Sequence, residues 1–332
     1  MPEPLRPVGI AGLGAAAGED LLTNNDLEKM VDTSDEWIKT RTGIGARHIT
    51  RPETATSDLA YQAAVEGLAD AGLTGADLDL IIVCTVTPDM PFPSTACLLQ
   101  ARLGATRAAA FDIEAACSGF IYGLAVGGQF VASRTYDTVL VIGAETLTKI
   151  TDYTDRATCV LFGDGAGAAV LRPVGEGEGI LSTVLGADGS GGELLMQPAG
   201  GSRLPASHET VDKRLHYIHM SGSDVFKFAV KVMGEAADAA IERAGLSRED
   251  VDFLVPHQAN RRIIDAAARR LGLPADKVIV NIGEFGNMSS ASIPVALHEA
   301  VRSGRIKRGD VVVLVAFGAG LTWGSTALRW CR

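Results

Sequence analysis

Two stretches decide the fold. "ADAGLTGADLDLIIV" covers residues 69–83 and "IERAGLSREDVDFLV" covers 241–255. In each, a helix-like segment ends at Ala-Gly-Leu, Ala71-Gly72-Leu73 and Ala244-Gly245-Leu246. An acidic turn follows, Asp77 and Asp79 in one and Asp250 and Asp252 in the other, and then an apolar β-branched run. Glycine just past a helix and a β-branched run after a turn are stop and strand signals. The shift is 173 positions, and the same shift lays "DTVLVIGAE" from Asp137 on "DVVVLVAFG" from Asp310. It also lays Cys117 on Ser290 and Cys84 on His257. Helix-turn-strand junctions resemble one another, but three matches at one offset point to a repeated unit.

Working outward, "LDLIIVCTV", "TVLVIGAE", "VDFLVP", "KVIVNIG" and "DVVVLVAFGAG" read as buried strands. "SDLAYQAAVEGLADAG", "DVFKFAVKVMGEAADAAIERAG" and "NRRIIDAAARRLG" read as helices closed by glycine. The class is α/β, with helices layered over buried sheets. The halves divide at the Pro/Gly-rich "RPVGEGEG", giving 1–173 and 174–332, arranged about a pseudo-twofold axis.

The chain has 332 residues, 47% hydrophobic and 21% charged, enough for a large core. A net charge of -10 disfavours nucleic acid, whose phosphates need a basic surface. No apolar run of about 18 residues suggests a membrane span. The five cysteines are odd in number and none has CxxC spacing, so neither a disulfide framework nor a zinc site is indicated, and a cytoplasmic location is expected.

Chemistry-bearing residues fall at strand-to-helix junctions. Cys117 in "EAACSGFIYGL" (114–124) precedes an apolar helical stretch. A helix N-terminus favours a thiolate, although a cysteine taken alone is more often an inert core residue. Gly119 would admit a close approach. His257 ends a strand in "VPHQAN" (255–260), where Gln258 and Asn260 add donors and Asn260 also fits as a helix N-cap. Asn287 lies in "GNMSSASIPVAL" (286–297), and a left-handed loop Asn is the plain alternative. Together Cys, His and Asn suit a nucleophile, a base and an amide donor. "FGDGAGAAVL" (162–171) lacks a full dinucleotide fingerprint and reads as a closely packed strand turn. His216 and His219 lack a third metal ligand.

These three blocks resemble the catalytic blocks of the β-ketoacyl-acyl-carrier-protein synthase III family, initiating condensing enzymes of the thiolase-like superfamily. "DLEKMVDTSDEWIKTRTGIGARHI" (26–49), "MPFPSTACLLQARLG" (90–104), "DRATCVLFGDGAGAAVL" (155–171), "DVFKFAV" (224–230) and "FGAGLTWGS" (317–325) agree, so the resemblance runs almost end to end. It implies a duplicated αβαβα thiolase-like fold. It implies that Cys117 takes an acyl group, acetyl being expected, from acyl-CoA, with the backbone N–H groups of Cys117 and Ala319 holding the oxyanion. Ala319 stands where glycine is more frequent in the family. Malonyl-acyl-carrier protein then loses CO2 while His257 and Asn287 stabilise the enolate, which attacks the acyl group to start fatty acid synthesis. Acyl-CoA is a substrate, and no cofactor or metal is implied.

By the same resemblance Trp37, Arg41 and Arg156 hold the adenine end of CoA. Thr33, Gly222, Phe226 and Asn260 line the pantetheine path. Phe92 crosses a homodimer interface to close the partner's acyl pocket. Lys227, Arg261 and Arg262 form the patch that docks the acidic carrier protein. Met288, where threonine is more usual, and the divergent 204–220 segment leave room for another acyl-CoA-dependent acyltransferase or a condensing enzyme of secondary metabolism.

Overall fold

A computed structural model of the chain describes residues 4–332. Two sheets carry the fold. The first has β1 (Val8–Ala17), β2 (Leu80–Cys84), β3 (Ala109–Ile113), β4 (Val139–Thr146) and β5 (Asp164–Pro173), in spatial order β1-β5-β4-β2-β3. The second has β6 (Gly179–Ala187), β7 (Phe253–Pro256), β8 (Val311–Gly318) and β9 (Thr322–Arg329), in order β7-β8-β9-β6. Strand β2 runs parallel to both β3 and β4, and β7 runs parallel to β8. Every residue of β4 and β8 is buried, which is why both read as unbroken apolar runs rather than alternations.

Helices α1 (Asp35–Thr42), α2 (Thr56–Asp70), α3 (Gly119–Ala132), α4 (Gly222–Arg243), α5 (Arg261–Leu271) and α6 (Ser292–Arg302) complete the layers. α3 and α6 lie between the sheets, sharing a core with Ile82, Val141, Leu314 and Trp330. α2 covers the outer face of the first sheet, and α4 with α5 covers that of the second. The result is αβαβα.

The 173-residue shift recurs in this architecture. It relates β2 to β7, β4 to β8 within one residue, and the starts of α3 and α6. It also relates two single-turn 3-10 segments, Ala116–Ser118 and Ser289–Ala291, which lead into those central helices. Each opens on a non-glycine residue with positive φ, Ala116 at 45° and Ser289 at 47°. Such residues cost roughly 1–3 kcal/mol each and cluster at functional sites.

One expected strand is not there. In "KVIVNIG", Val278 makes only a lone parallel bridge to Leu254. The buried Gln258 side chain then accepts from the N–H groups of Asn281 and Ile282, both at 3.1 Å, and a short helical turn (Ile282–Phe285) follows. A side-chain amide from a distant segment takes the donors a strand partner would use. "FGDGAGAAVL" becomes the start of β5. A Cβ on Gly165 or Gly167 would lie 2.4 Å from the Met288 sulfur or 2.6 Å from Pro294, so close packing against α6 and its leading turn requires both glycines.

Candidate active site

The two 3-10 turns meet between the sheets. A Cβ on Gly119 would touch the Cβ atoms of Cys84 at 3.2 Å and Ser290 at 3.5 Å, so the close approach at Gly119 is that of the end of β2 and of the second turn. The end of β8 completes the junction. A Cβ on Gly318 would sit 2.7 Å from the Cys117 backbone nitrogen, which places that N–H directly against the strand end. Its neighbour Phe317 meets the His257 ring edge-on, with centroids 5.9 Å apart. Ser289, two residues after Asn287, opens the second turn, which packs against the turn that carries Cys117. Cys117 and His257 thus meet at Phe317–Gly318, and Asn287 stands just ahead of the facing turn.

Each is held differently. Asn287 is buried and ladder-bonded on both sides, its N–H to Leu161 at 2.9 Å and its carbonyl to the Gly163 N–H at 3.0 Å. Its Oδ1 accepts from the Ser289 N–H at 2.9 Å, which leaves the side-chain NH2 to donate elsewhere. His257 is fixed through its main chain, donating to Val315 at 2.8 Å, while both ring nitrogens are buried without a partner among the described residues. Desolvation holds its imidazole neutral, with the pKa pushed down to about 3. Two orphaned ring nitrogens in a dry setting are costly in a resting protein and useful once a ligand oxygen arrives.

Cys117 differs from the thiolate expected at a helix start. α3 begins two residues later, and desolvation pushes the thiol up to about 12.

The outlying residues form two groups. The Arg156 guanidinium lies 5.0 Å and that of Arg41 6.0 Å from the Trp37 ring centroid. Beside them a cavity of about 360 Å3 is lined by Met30, Val31, Asp32, Thr154 and Arg156. The Thr33 hydroxyl is buried without a partner among the described residues. Asn260 caps α5, accepting from the Arg262 N–H at 2.9 Å, and donates its amide to the Arg41 carbonyl at 3.1 Å, tying α5 to α1. In the second group the Arg262 guanidinium lies 5.0 Å from the Phe226 ring centroid, near exposed Gly222 at the start of α4.

Lys227 and Arg261 are already paired along their own helices, with Asp224 at 3.2 Å and Asp265 at 2.8 Å. Phe92 belongs to neither group and is 84% exposed, so it anchors nothing within its own chain. Gln258 spends its amide on the carbonyls of Pro256 and Ile279, at 2.8 and 3.2 Å, and is structural.

Three residues at the junction are not singled out by the sequence reading: Ser289, Gly318 and Glu145. Glu145 is wholly buried at the end of β4 and binds both serines of the second turn. An acid closing an otherwise apolar run, "VLVIGAE", is the one hint of it.

The model of the "3-Oxoacyl-[acyl-carrier-protein (ACP)] synthase III" family matches residues 111–189, and that of its "C terminal" part matches 241–330. The chain is 62% identical over 328 residues to the β-ketoacyl-[acyl-carrier-protein] synthase III of Symbiobacterium thermophilum, covering 99% of each. A solved β-ketoacyl-[acyl-carrier-protein] synthase III from Thermus thermophilus superposes with a TM-score of 0.91 at 51% identity, over 97% of this chain and 99% of that one. The priming β-ketosynthase of the R1128 polyketide pathway superposes with a TM-score of 0.92 at 35% identity, over 100% and 99%. With this fold, this junction and these relatives, the chain belongs to the β-ketoacyl-[acyl-carrier-protein] synthase III family.

Proposed function

We propose that this acyltransferase condenses acyl-CoA, in the first instance acetyl-CoA, with malonyl-acyl-carrier protein, releasing CoA and CO2. Its family places it at the initiating condensation of fatty acid biosynthesis. The observation that carries the residue assignments is the meeting of Cys117 and His257 at the Phe317–Gly318 end of β8, with the turn that follows Asn287 packed against the Cys117 turn.

Cys117 Sγ attacks the thioester carbonyl, and CoA departs as a thiolate. The N–H groups of Cys117 and Ala319 receive the oxyanion. The 2.7 Å spacing at Gly318 supports this pairing, because it holds the strand end and the cysteine N–H together before any substrate binds. When malonyl-carrier protein loses CO2, the charge that develops on its thioester oxygen meets the His257 imidazole and the Asn287 NH2. A neutral imidazole suits this step, since it donates one hydrogen bond without a charge to desolvate. The enolate carbon then attacks the acyl-Cys117 carbonyl. Each step uses protein groups alone, with acyl-CoA as substrate and no cofactor.

We place CoA along Trp37, Arg41 and Arg156, with Thr33, Gly222, Phe226 and Asn260 beside the pantetheine. Arg156 lines the 360 Å3 cavity and lies with Arg41 against the Trp37 ring, a cationic and aromatic cluster that suits a nucleotide. The carrier protein docks at the mouth by Arg262 with Lys227 and Arg261, whose intrahelical ion pairs are exposed and worth little to break. Phe92, backed by exposed Met90, is covered by a second copy of the chain, making a homodimer. We take 1–173 and 174–332 as the two halves. A cytoplasmic setting fits the five free cysteines, and no described helix is long and apolar enough to cross a membrane.

The test is intact-mass measurement with a panel of acyl-CoAs. The wild type should gain one acyl group and Cys117→Ala none. Acylation of Cys117→Ala would end the assignment.

A further inference from the structure

The divergent 204–220 segment has no part in the chemistry above. It belongs to an excursion of the chain that is closed at its base by a two-residue ribbon, Leu195–Met196 antiparallel to His219–Met220. Main-chain bonds fasten that base, the Ser221 N–H donating to the Leu194 carbonyl at 2.8 Å and the Ile218 N–H to the Ile150 carbonyl at 2.9 Å. Between the ribbon strands stands a short helix, His208–Asp212.

This helix ends in a Schellman turn. The Leu215 N–H donates to the Thr210 carbonyl at 3.0 Å, and the Arg214 N–H to the Val211 carbonyl at 2.9 Å. The turn holds Arg214 at a φ of 57°, the left-handed conformation in which a Cβ is strained and glycine is usual. α1, α2, α4, α5 and α6 give this place to Gly43, Gly72, Gly245, Gly272 and Gly304, and only α3 shares the exception, with Arg134. Arginine does nothing for such a turn. What it adds is its side chain.

That side chain is fixed on two sides. Its guanidinium forks onto the Asp152 carboxylate, with Nε 2.6 Å from Oδ2 and Nη2 on Oδ1, and it lies 5.1 Å from the Tyr217 ring centroid. Asp152 Oδ1 also accepts from the Thr154 N–H at 2.8 Å and from Thr154 Oγ1 at 2.7 Å. The next acid, Asp155, accepts from the Ala157 N–H at 2.9 Å and from Thr158 Oγ1 at 2.8 Å, which fixes the turn that carries Arg156. Thr154 and Arg156 line the 360 Å3 cavity together with Asp32. Arg156 donates to the Asp32 carbonyl at 2.9 Å while facing Trp37. Contact is therefore continuous from Tyr217 through Arg214, Asp152 and Thr154 to the cavity wall.

The geometry points to Arg214 and Asp152 as positioning residues that set the wall of the nucleotide cavity. This inference rests on the placement of CoA along Trp37, Arg41 and Arg156. Neither residue touches the reacting atoms. Without the fork, Asp152 still holds Thr154, but nothing holds Asp152 to the excursion, and the 152–156 wall is free to shift against Trp37. The effect falls on the grip on the nucleotide and leaves the chemistry at Cys117 alone. A partly exposed ion pair contributes little to folding, so the fold does not depend on this one.

The test is single-turnover loading read by intact mass, over a range of acetyl-CoA concentrations. It is repeated with acetyl-S-N-acetylcysteamine, a truncated thioester that carries no nucleotide. Arg214→Gly suits the turn and should unfold no earlier than the wild type. It should raise the half-saturating acetyl-CoA concentration by about 10-fold, with the rate at saturation kept within about twofold. Its loading from the truncated thioester should match the wild type. Asp152→Ala should raise the half-saturating concentration at least as much, and the double variant no further, because the two residues act as one unit. A folded Arg214→Gly with the wild-type acetyl-CoA dependence overturns the inference. So does an equal loss with both thioesters, which would mark a general lesion. Arg156→Ala distinguishes the underlying reading. If that variant also keeps the wild-type acetyl-CoA dependence, the placement of CoA fails and the inference falls with it.

Discussion

Gly318→Ala tests whether the end of β8 positions the nucleophile. The added Cβ would lie 2.7 Å from the Cys117 nitrogen and 3.1 Å from both the Ala115 oxygen and the Ser118 nitrogen. All three are backbone atoms, so no flexible side chain can swing away. Reaching ordinary contact at about 3.4 Å requires the turn and the strand end to part by roughly 0.7 Å. Overpacking of this kind costs about 1–3 kcal/mol of stability. A displacement approaching 1 Å at the reacting groups costs on the order of 10²-fold in rate, so acyl loading should fall by roughly 10- to 100-fold. Gly128→Ala is the control. Its Cβ would meet only Ile180 Cδ1, at 3.6 Å, inside α3, and alanine there should leave loading unchanged and add about 0.4–1 kcal/mol. The assay is single-turnover acylation by acetyl-CoA, read by intact mass, beside thermal unfolding of each variant. A folded Gly318→Ala that loads at the wild-type rate would refute the claim that this contact sets the cysteine.

Other predictions follow from the same geometry. His257 is neutral in the folded state down to about 3, whereas the unfolded chain takes up the proton near 6.5, so stability present above 6.5 is lost as the pH falls toward 3. The gap corresponds to about 5 kcal/mol, and His257→Leu should flatten that acid slope in denaturant titrations; an unchanged slope would count against a buried neutral ring. Asn287→Asp should still accept an acyl group but lose condensation by at least about 10²-fold, because a carboxylate repels the enolate; retained condensation in paired loading and CO2-release assays would remove Asn287 from that role. Phe92→Asp should weaken self-association in sedimentation by at least about 10-fold, since a buried phenyl is worth about 2 kcal/mol. An unchanged sedimentation profile would leave its exposure unexplained by a second copy.

The large features of this fold are written where local chemistry decides. Gly after a helix, β-branched runs and a constant offset expose the repeated unit, because burial on both faces makes strands such as β4 and β8 uniformly apolar. Cys117, His257 and Asn287 stand at element ends, where motifs are visible. What was not legible is what depends on distant partners. "KVIVNIG" has strand composition, yet Gln258 takes its donors. A helix start favours a Cys117 thiolate, whereas desolvation at the junction of two sheets raises the thiol. Glu145 has no spacing signal at all, because its serines lie 144 and 145 positions away. Gly318 could be any strand glycine until the turn at Cys117 is seen against it.

The most direct measurement is a chase of the isolated acyl-enzyme. The wild type is loaded with isotope-labelled acetyl-CoA, freed of CoA, and mixed with malonyl-acyl-carrier protein. The label should leave Cys117 and appear in β-ketoacyl-carrier protein, with one CO2 released per label transferred. An acyl-enzyme that keeps its label, or passes it to another acceptor without releasing CO2, would contradict the account.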